Sequence, residues 1–188
     1  MPFTNGGYPT YNLGNIIMSK RNKLYLKSIQ QQEYCGLCCD NSQTDLHKAK
    51  ALTLNCMDFR LRDNISCHLN LLGYKNQYDE AILAGSSLGY NGFLDYSNWQ
   101  QCLNDHIQLS YDLHDINEII IIDHMKCGAY KTQYVLSSDA EEWDLHISNL
   151  QTAANAIYNT FNSIIPNLKI KCYIITINAS DMTLTYQI

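Results

Sequence analysis

At 188 residues the chain is long enough for one compact core, and its 46% apolar and 16% charged residues fit a soluble globular protein. A net charge of −5 argues against non-specific nucleic-acid binding, which needs a basic face. No run reaches the roughly 18 consecutive apolar residues that span a bilayer, so the membrane class is excluded as well.

The first 18 residues carry no early Lys or Arg and no sustained apolar stretch, so they do not read as a signal peptide. There are eight cysteines. Disulfide frameworks belong mostly to small secreted domains, so reduced thiols and metal ligation in the cytoplasm are the expectation.

In chain order, Pro2, Gly6, Gly7, Pro9 and Gly14 make residues 1–18 a loop-like arm, and residues 19–32 are polar enough for only a short helix. Cys35-Gly36-Leu37-Cys38-Cys39 has metal-ligand spacing, with His47 as a lone further candidate. Free thiols are the main reading there. A second zinc or a redox pair is the lesser one, since neither a matching Cys-x-x-Cys nor a clear preceding strand accompanies the motif. Residues 1–49 are thus expected as an arm with a helical extension, and 50–188 as a zinc-binding α/β catalytic domain.

From residue 50 onward the pattern becomes regular. Strands are expected over 51–56, 81–84, 118–123 and 170–177, with a short edge strand over 182–188 running back along the last. Helices are expected over 62–72, stopped by Gly73, over 99–113, capped by Ser97 or Asn98, and from Ser138 or Asp139 to about 163, stopped by Pro166. In this last helix Trp143, Ile147, Leu150, Ala154, Ile157 and Phe161 recur at threes and fours and mark one buried face. Ile119 to Ile122 do not alternate, as in a strand buried on both faces of a parallel sheet. Strand alternating with helix gives a three-layer α/β fold: a central, mostly parallel sheet flanked by helices.

Two of these strands end in chemistry. The first stops at Cys56, followed by Asp58 and Arg60. The third stops at Asp123 and His124, followed by Cys127 and Gly128. Function in open parallel sheets gathers outside the carboxyl ends of the strands. If these strands are neighbours, Cys56, His124 and Cys127 meet there and form a zinc site with its fourth position open. Gly128 would allow a tight approach, and Asp58 and Arg60 would add a charge pair.

Cys56-x-Asp58-x-Arg60, Ala84-Gly85 closing the second strand, and His124-x-x-Cys127-Gly128 together resemble the β-class carbonic anhydrases. The resemblance covers about residues 50–178. It departs at Met57 and Phe59 (usually Ser), at Ser86 (usually Asn) and at Ala129 (usually Gly), all of which bear on the pocket wall.

The resemblance implies one Zn2+ per chain on Cys56, His124 and Cys127, and reversible hydration of carbon dioxide to bicarbonate by zinc-activated water. Asp58 would orient that water, Arg60 would hold Asp58, and Gly85, Ser86 and Gly128 would border the substrate. It also implies a homodimer or higher homo-oligomer, and a closed, inactive form in which this Asp ligates zinc. Hydrolysis of carbonyl sulfide or carbon disulfide, and a catalytically silent zinc-binding homologue, are the alternatives. The remaining histidines, His68, His106, His114 and His146, read as surface residues. Cys67, Cys102 and Cys172 read as packing, and Trp99, Trp143 and Phe93 as core or interface.

Overall fold

The computed structural model describes residues 47–96, 98–176 and 182–188. The chain divides into two compact units, Met1–Asp40 and Asn41–Ile188, and the described residues lie in the second. The expected helix over 19–32, the Cys35, Cys38, Cys39 cluster and the Ser97 cap fall outside them. Residues 47–49 lie against the α/β unit: the Ala49 N–H donates to the His114 carbonyl (2.9 Å), and Lys48 pairs with Asp115 (2.7 Å).

Five strands form one sheet: β1 (Ala51–Cys56), β2 (Tyr78–Leu83), β3 (Glu118–His124), β4 (Lys169–Ile175) and β5 (Met182–Gln187). Their order is β2-β1-β3-β4-β5, with β1, β2, β3 and β4 parallel and β5 antiparallel to β4. Between them stand α1 (Arg62–Leu71), α2 (Ser87–Asn91), α3 (Trp99–His114), α4 (Gly128–Gln133) and α5 (Asp139–Phe161).

The run of isoleucines in β3 is explained by its place. It pairs with β1 on one side and β4 on the other, and both its faces are covered. Ile119 and Ile121 join Leu52, Leu54, Leu103, Ile107, Leu150 and Ile157 on the α3–α5 face. Ile120 and Ile122 join Leu61, Ile65 and Leu69 beside α1. Each such buried side chain contributes about 1.5–3 kcal/mol relative to exposure, so the centre of the sheet carries much of the stability.

β2 starts three residues earlier than its apolar residues suggest. Tyr78, Asp79 and Glu80 pair through their backbone with Ala51, Leu52 and Thr53. On this edge strand the polar side chains find partners: Asp79 takes Ser110 and His114, and Glu80 takes Asn55 and Arg62. The short helices α2 and α4, absent from the sequence expectation, each follow a strand end. α5 is capped as expected, with Ser138 Oγ accepting from the Glu141 N–H. Its inner face is turned from the expected one at the N-terminal half. Glu142, His146 and Asn149 are buried there, while Trp143 and Ile147 are only partly covered. His146 is therefore not a surface residue. Cys102, expected in packing, is exposed on α3.

Candidate metal centre

Cys56 pairs with Leu83 of β2, and Asn55 with Ile122 of β3, so β1 ends about one residue short of His124. The turn after β3 passes through Lys126 in the left-handed region (φ 61°) and returns the chain so that Cys127 meets the strand ends. Lys126 pairs with Asp139 at the start of α5.

Cys56, His124 and Cys127 are all buried, and their ligand atoms lie within 4.8 Å of one another. Cys56 Sγ and Cys127 Sγ are 3.9 Å apart. Two sulfurs each about 2.3 Å from one tetrahedral ion would stand about 3.8 Å apart, so the spacing fits zinc. His124 Nδ1 donates to the Met125 carbonyl at 2.9 Å. That fixes the tautomer and leaves Nε2 as the ligand atom. Nε2 is buried and has no hydrogen-bond partner among the described residues, as expected of an atom meant for a metal.

The hydrogen bond from Cys127 holds the Cys56 thiol below its usual range, helped by His124 and the Gly85 N–H (3.3 Å) and opposed by burial. The same hydrogen bond pushes Cys127 up.

Asp58 lies at the edge of this group, with Oδ2 3.9 Å from His124 Nε2. Arg60 engages both its oxygens: Nε donates to Oδ1 at 2.9 Å and Nη2 to Oδ2 at 2.5 Å, while the Arg60 N–H reaches Oδ1 at 3.0 Å. This fork holds the Asp58 carboxyl down to about 2. A pocket of about 250 Å³ opens beside the pair. Cys56, Asp58 and Cys127 line it together with Met57, Ala84, Phe93 and Ala129, and Gly128 and Thr132 complete it.

Residues 46–176 match the family described as "Putative carbonic anhydrase". The chain belongs to this family. Two uncharacterized rickettsial proteins are similar to it. One, from Rickettsia bellii, is 33% identical over 132 residues, covering 69% of this chain and 77% of its own. The other, from Rickettsia conorii, is 32% identical over 132 residues, covering 69% and 68%. Among solved structures, a carbonic anhydrase from Streptococcus mutans superposes with a TM-score of 0.52 at 18% identity, over 91% of this chain and 100% of that one. A Coccomyxa β-carbonic anhydrase in complex with acetazolamide gives 0.51 at 11%, over 89% and 84%. At such identities these two show the fold, which is that of the β-carbonic anhydrases.

The structure of this carbonic-anhydrase-family chain brings Cys56, Asp58, Arg60, His124 and Cys127 together. Gly128 also borders the pocket, but a Cβ there would meet nothing within 4 Å, so the tight approach expected of it is not used by the described residues. Gly85 and Ser86 stand behind Cys56 and not among the lining residues. Gly85 has φ 76° and would crowd Ala129 and Leu88 at 3.1 Å if it carried a Cβ. Ser86 is fully buried and donates to the Leu54 carbonyl at 3.0 Å. Phe93, expected only as core or interface, lines the pocket.

A buried polar network behind the cysteines escaped the sequence reading. Asp123, beside His124, accepts from the Ser87 N–H (3.0 Å), Ser87 Oγ (2.6 Å), the Tyr130 hydroxyl (2.8 Å) and His146 Nδ1 (2.8 Å). Burial would raise the Asp123 carboxyl, but His146 and Ser87 outweigh it and hold it low. Burial and the Asp123 charge push the Tyr130 hydroxyl up, so it stays a donor. Glu142 Oε1 accepts from the Cys127 N–H at 3.0 Å. The available signal was the run Glu142, His146, Asn149, Ala153, spaced 4-3-4 on one side of α5.

Proposed function

We propose that this protein is a zinc-dependent carbonic anhydrase that interconverts carbon dioxide and bicarbonate. The observation that carries the reading is the buried meeting of Cys56, Cys127 and the unpartnered His124 Nε2 beside the Asp58–Arg60 fork. Zinc on these three residues would supply a Lewis acid that makes water a nucleophile near neutral pH. Two thiolates neutralise a divalent ion, so the water's pKa is expected above that of sites with neutral ligands.

The chain's own residues do the rest. Asp58 presents an acceptor to the attacking water's O–H and so aims the oxygen lone pair at the substrate carbon. Arg60 keeps that carboxylate ionised and turned. Arg60 engages both Asp58 oxygens, which supports a form in which Asp58 is held away from the metal position. Addition of water to carbon dioxide yields bicarbonate and one proton, which passes to solvent. The cytoplasm, which keeps thiols reduced, suits this ligand set. No helix among the described residues is long and apolar enough to cross a membrane.

The apolar lining of Met57, Ala84, Phe93 and Ala129 supports a second reading, hydrolysis of carbonyl sulfide or carbon disulfide on the same residues. Metal analysis with gas-hydration assays at pH 7 and pH 9, on carbon dioxide and both sulfur gases, tests the proposal. About one zinc per chain and carbon dioxide turnover that rises with pH are expected. Cys56→Ala and Cys127→Ala should each lose the metal and melt earlier, because binding is coupled to folding. Full zinc retention in both variants would overturn the ligand assignment, and turnover of a sulfur gas alone would favour the second reading.

A further inference from the structure

α5 carries two titratable side chains, Glu142 and His146, that are one turn apart and essentially without solvent contact. The next inward positions, Leu150, Ala153, Ala154 and Ile157, are apolar. A buried carboxylate is costly unless it is matched, so an apolar residue would be the usual choice at position 142 as well.

What Glu142 does there is specific. Its Oε1 accepts from the Cys127 N–H at 3.0 Å, the backbone donor of a residue in the candidate metal centre. Cys127 precedes α4 with φ −73° and ψ 128°, and has no side-chain cap bond. Without Glu142 its N–H would be buried with no acceptor, although Lys126–Asp139 and the Met125 N–H to the Ile175 carbonyl also brace the turn.

His146 connects this contact to the other end of the turn. Its Nδ1 binds Asp123 at 2.8 Å, and its Nε2 faces Glu142 Oε1 at 3.8 Å, with no hydrogen-bond partner among the described residues. Its ring packs on Tyr130, with centroids 3.8 Å apart. Among the described residues it is the one basic side chain within ion-pair distance of either carboxylate. Asp123 directly precedes His124, so one imidazole on α5 links the segments that carry two of the three candidate ligands.

We propose that Glu142 and His146 are positioning residues: Glu142 presets the direction of the Cys127 thiolate, and His146 holds Glu142 and Asp123 in register with each other. The proposal rests on the metal reading of Cys127. It adds that outer hydrogen bonds orient a ligand, the role for which their loss typically weakens metal affinity about 10–100-fold.

The test compares wild type, Glu142→Leu, Glu142→Gln and His146→Gln for zinc affinity by competition with a chelator. Each is also loaded with cobalt(II) to read the thiolate charge-transfer band. Leu fills the volume without an acceptor, while Gln keeps an acceptor for the Cys127 N–H. Glu142→Leu should fold, bind zinc about 10–100-fold more weakly and shift the cobalt band. Glu142→Gln should stand closer to wild type on both readouts. His146→Gln, which keeps a donor for Asp123 but no second ring nitrogen, should weaken zinc binding as well.

Wild-type affinity and spectrum in Glu142→Leu would overturn the proposal. So would a Gln variant no better than the Leu variant, or an unaffected His146→Gln. Failure of Glu142→Leu to fold even with saturating zinc would overturn it too, by making the carboxylate a requirement of the core. A wild type that binds no metal would instead fail the underlying reading, and this proposal with it. The two failures are therefore told apart by the wild-type measurement.

Discussion

At residue scale, Asp58 and Arg60 are expected to matter for turnover and not for holding zinc, since neither belongs to the Cys56, His124, Cys127 group. Asp58→Ala removes the acceptor that, in the proposed reaction, orients the attacking water, a loss expected mainly in the transition state. The maximal rate should fall about 10²-fold with zinc content unchanged. Arg60→Ala frees a carboxylate that lies 3.9 Å from His124 Nε2. It should inactivate more deeply than Asp58→Ala, and adding Asp58→Ala should relieve the difference.

The sign of the pH effect follows from the depressed Asp58 carboxyl, held at about 2 by Arg60. A carboxylate with a lowered folded pKa contributes stability above its unfolded pKa, about 3.9, and loses it as pH falls toward 2. Its charge is constant between pH 5 and 9, so a rise in activity over that range does not come from Asp58 ionising. Rate profiles and zinc content of the three variants decide this. Zinc retention together with wild-type rates in both single variants would make the pair merely structural.

At the scale of elements, the close packing of α2 behind the candidate metal centre depends on Gly89. A Cβ there would meet the Ala84 carbonyl oxygen at 2.8 Å and Leu83 Cβ at 3.1 Å. A backbone oxygen at a strand end cannot swing aside as a side chain can. Gly89→Ala should therefore destabilise by about 1–3 kcal/mol, the usual cost of overpacking, although Ala is the better helix former. Urea unfolding measures this, and an unchanged midpoint would show that α2 shifts freely. Gly128→Ala is the matched control, because nothing lies within 4 Å of its added methyl.

At the scale of the whole molecule, large apolar side chains are exposed at and just after the ends of β1 and β2. Met57 is 64% and Phe59 83% exposed, and Ile82 on the edge strand β2 is 45% exposed. Exposed apolar side chains of this size favour a covered surface. The protein is expected to be at least a homodimer. Sedimentation velocity at micromolar concentration tests this, and a monomer alone would count against it.

Much of the fold was legible because it rests on local regularities. The uninterrupted isoleucines of β3, the threes and fours of α5 and the Ser138 cap each depend on near neighbours in the chain. So does the placing of Cys56, His124 and Cys127 at strand ends, once β1 and β3 are adjacent. What the chain alone did not disclose depends on residues distant in sequence. The polar start of β2 is a strand because β1 offers it a backbone partner. The inner face of α5 turns to bury Glu142 and His146 because Asp123 and the Cys127 N–H, up to 23 residues away, present polar groups there. The sequence by itself determined the strand–helix alternation and the strand ends that carry the candidate ligands, since hydrophobic period and residue chemistry are local. Only the tertiary structure decided which buried charges stand behind those residues, because a charge is matched by whatever the fold places against it.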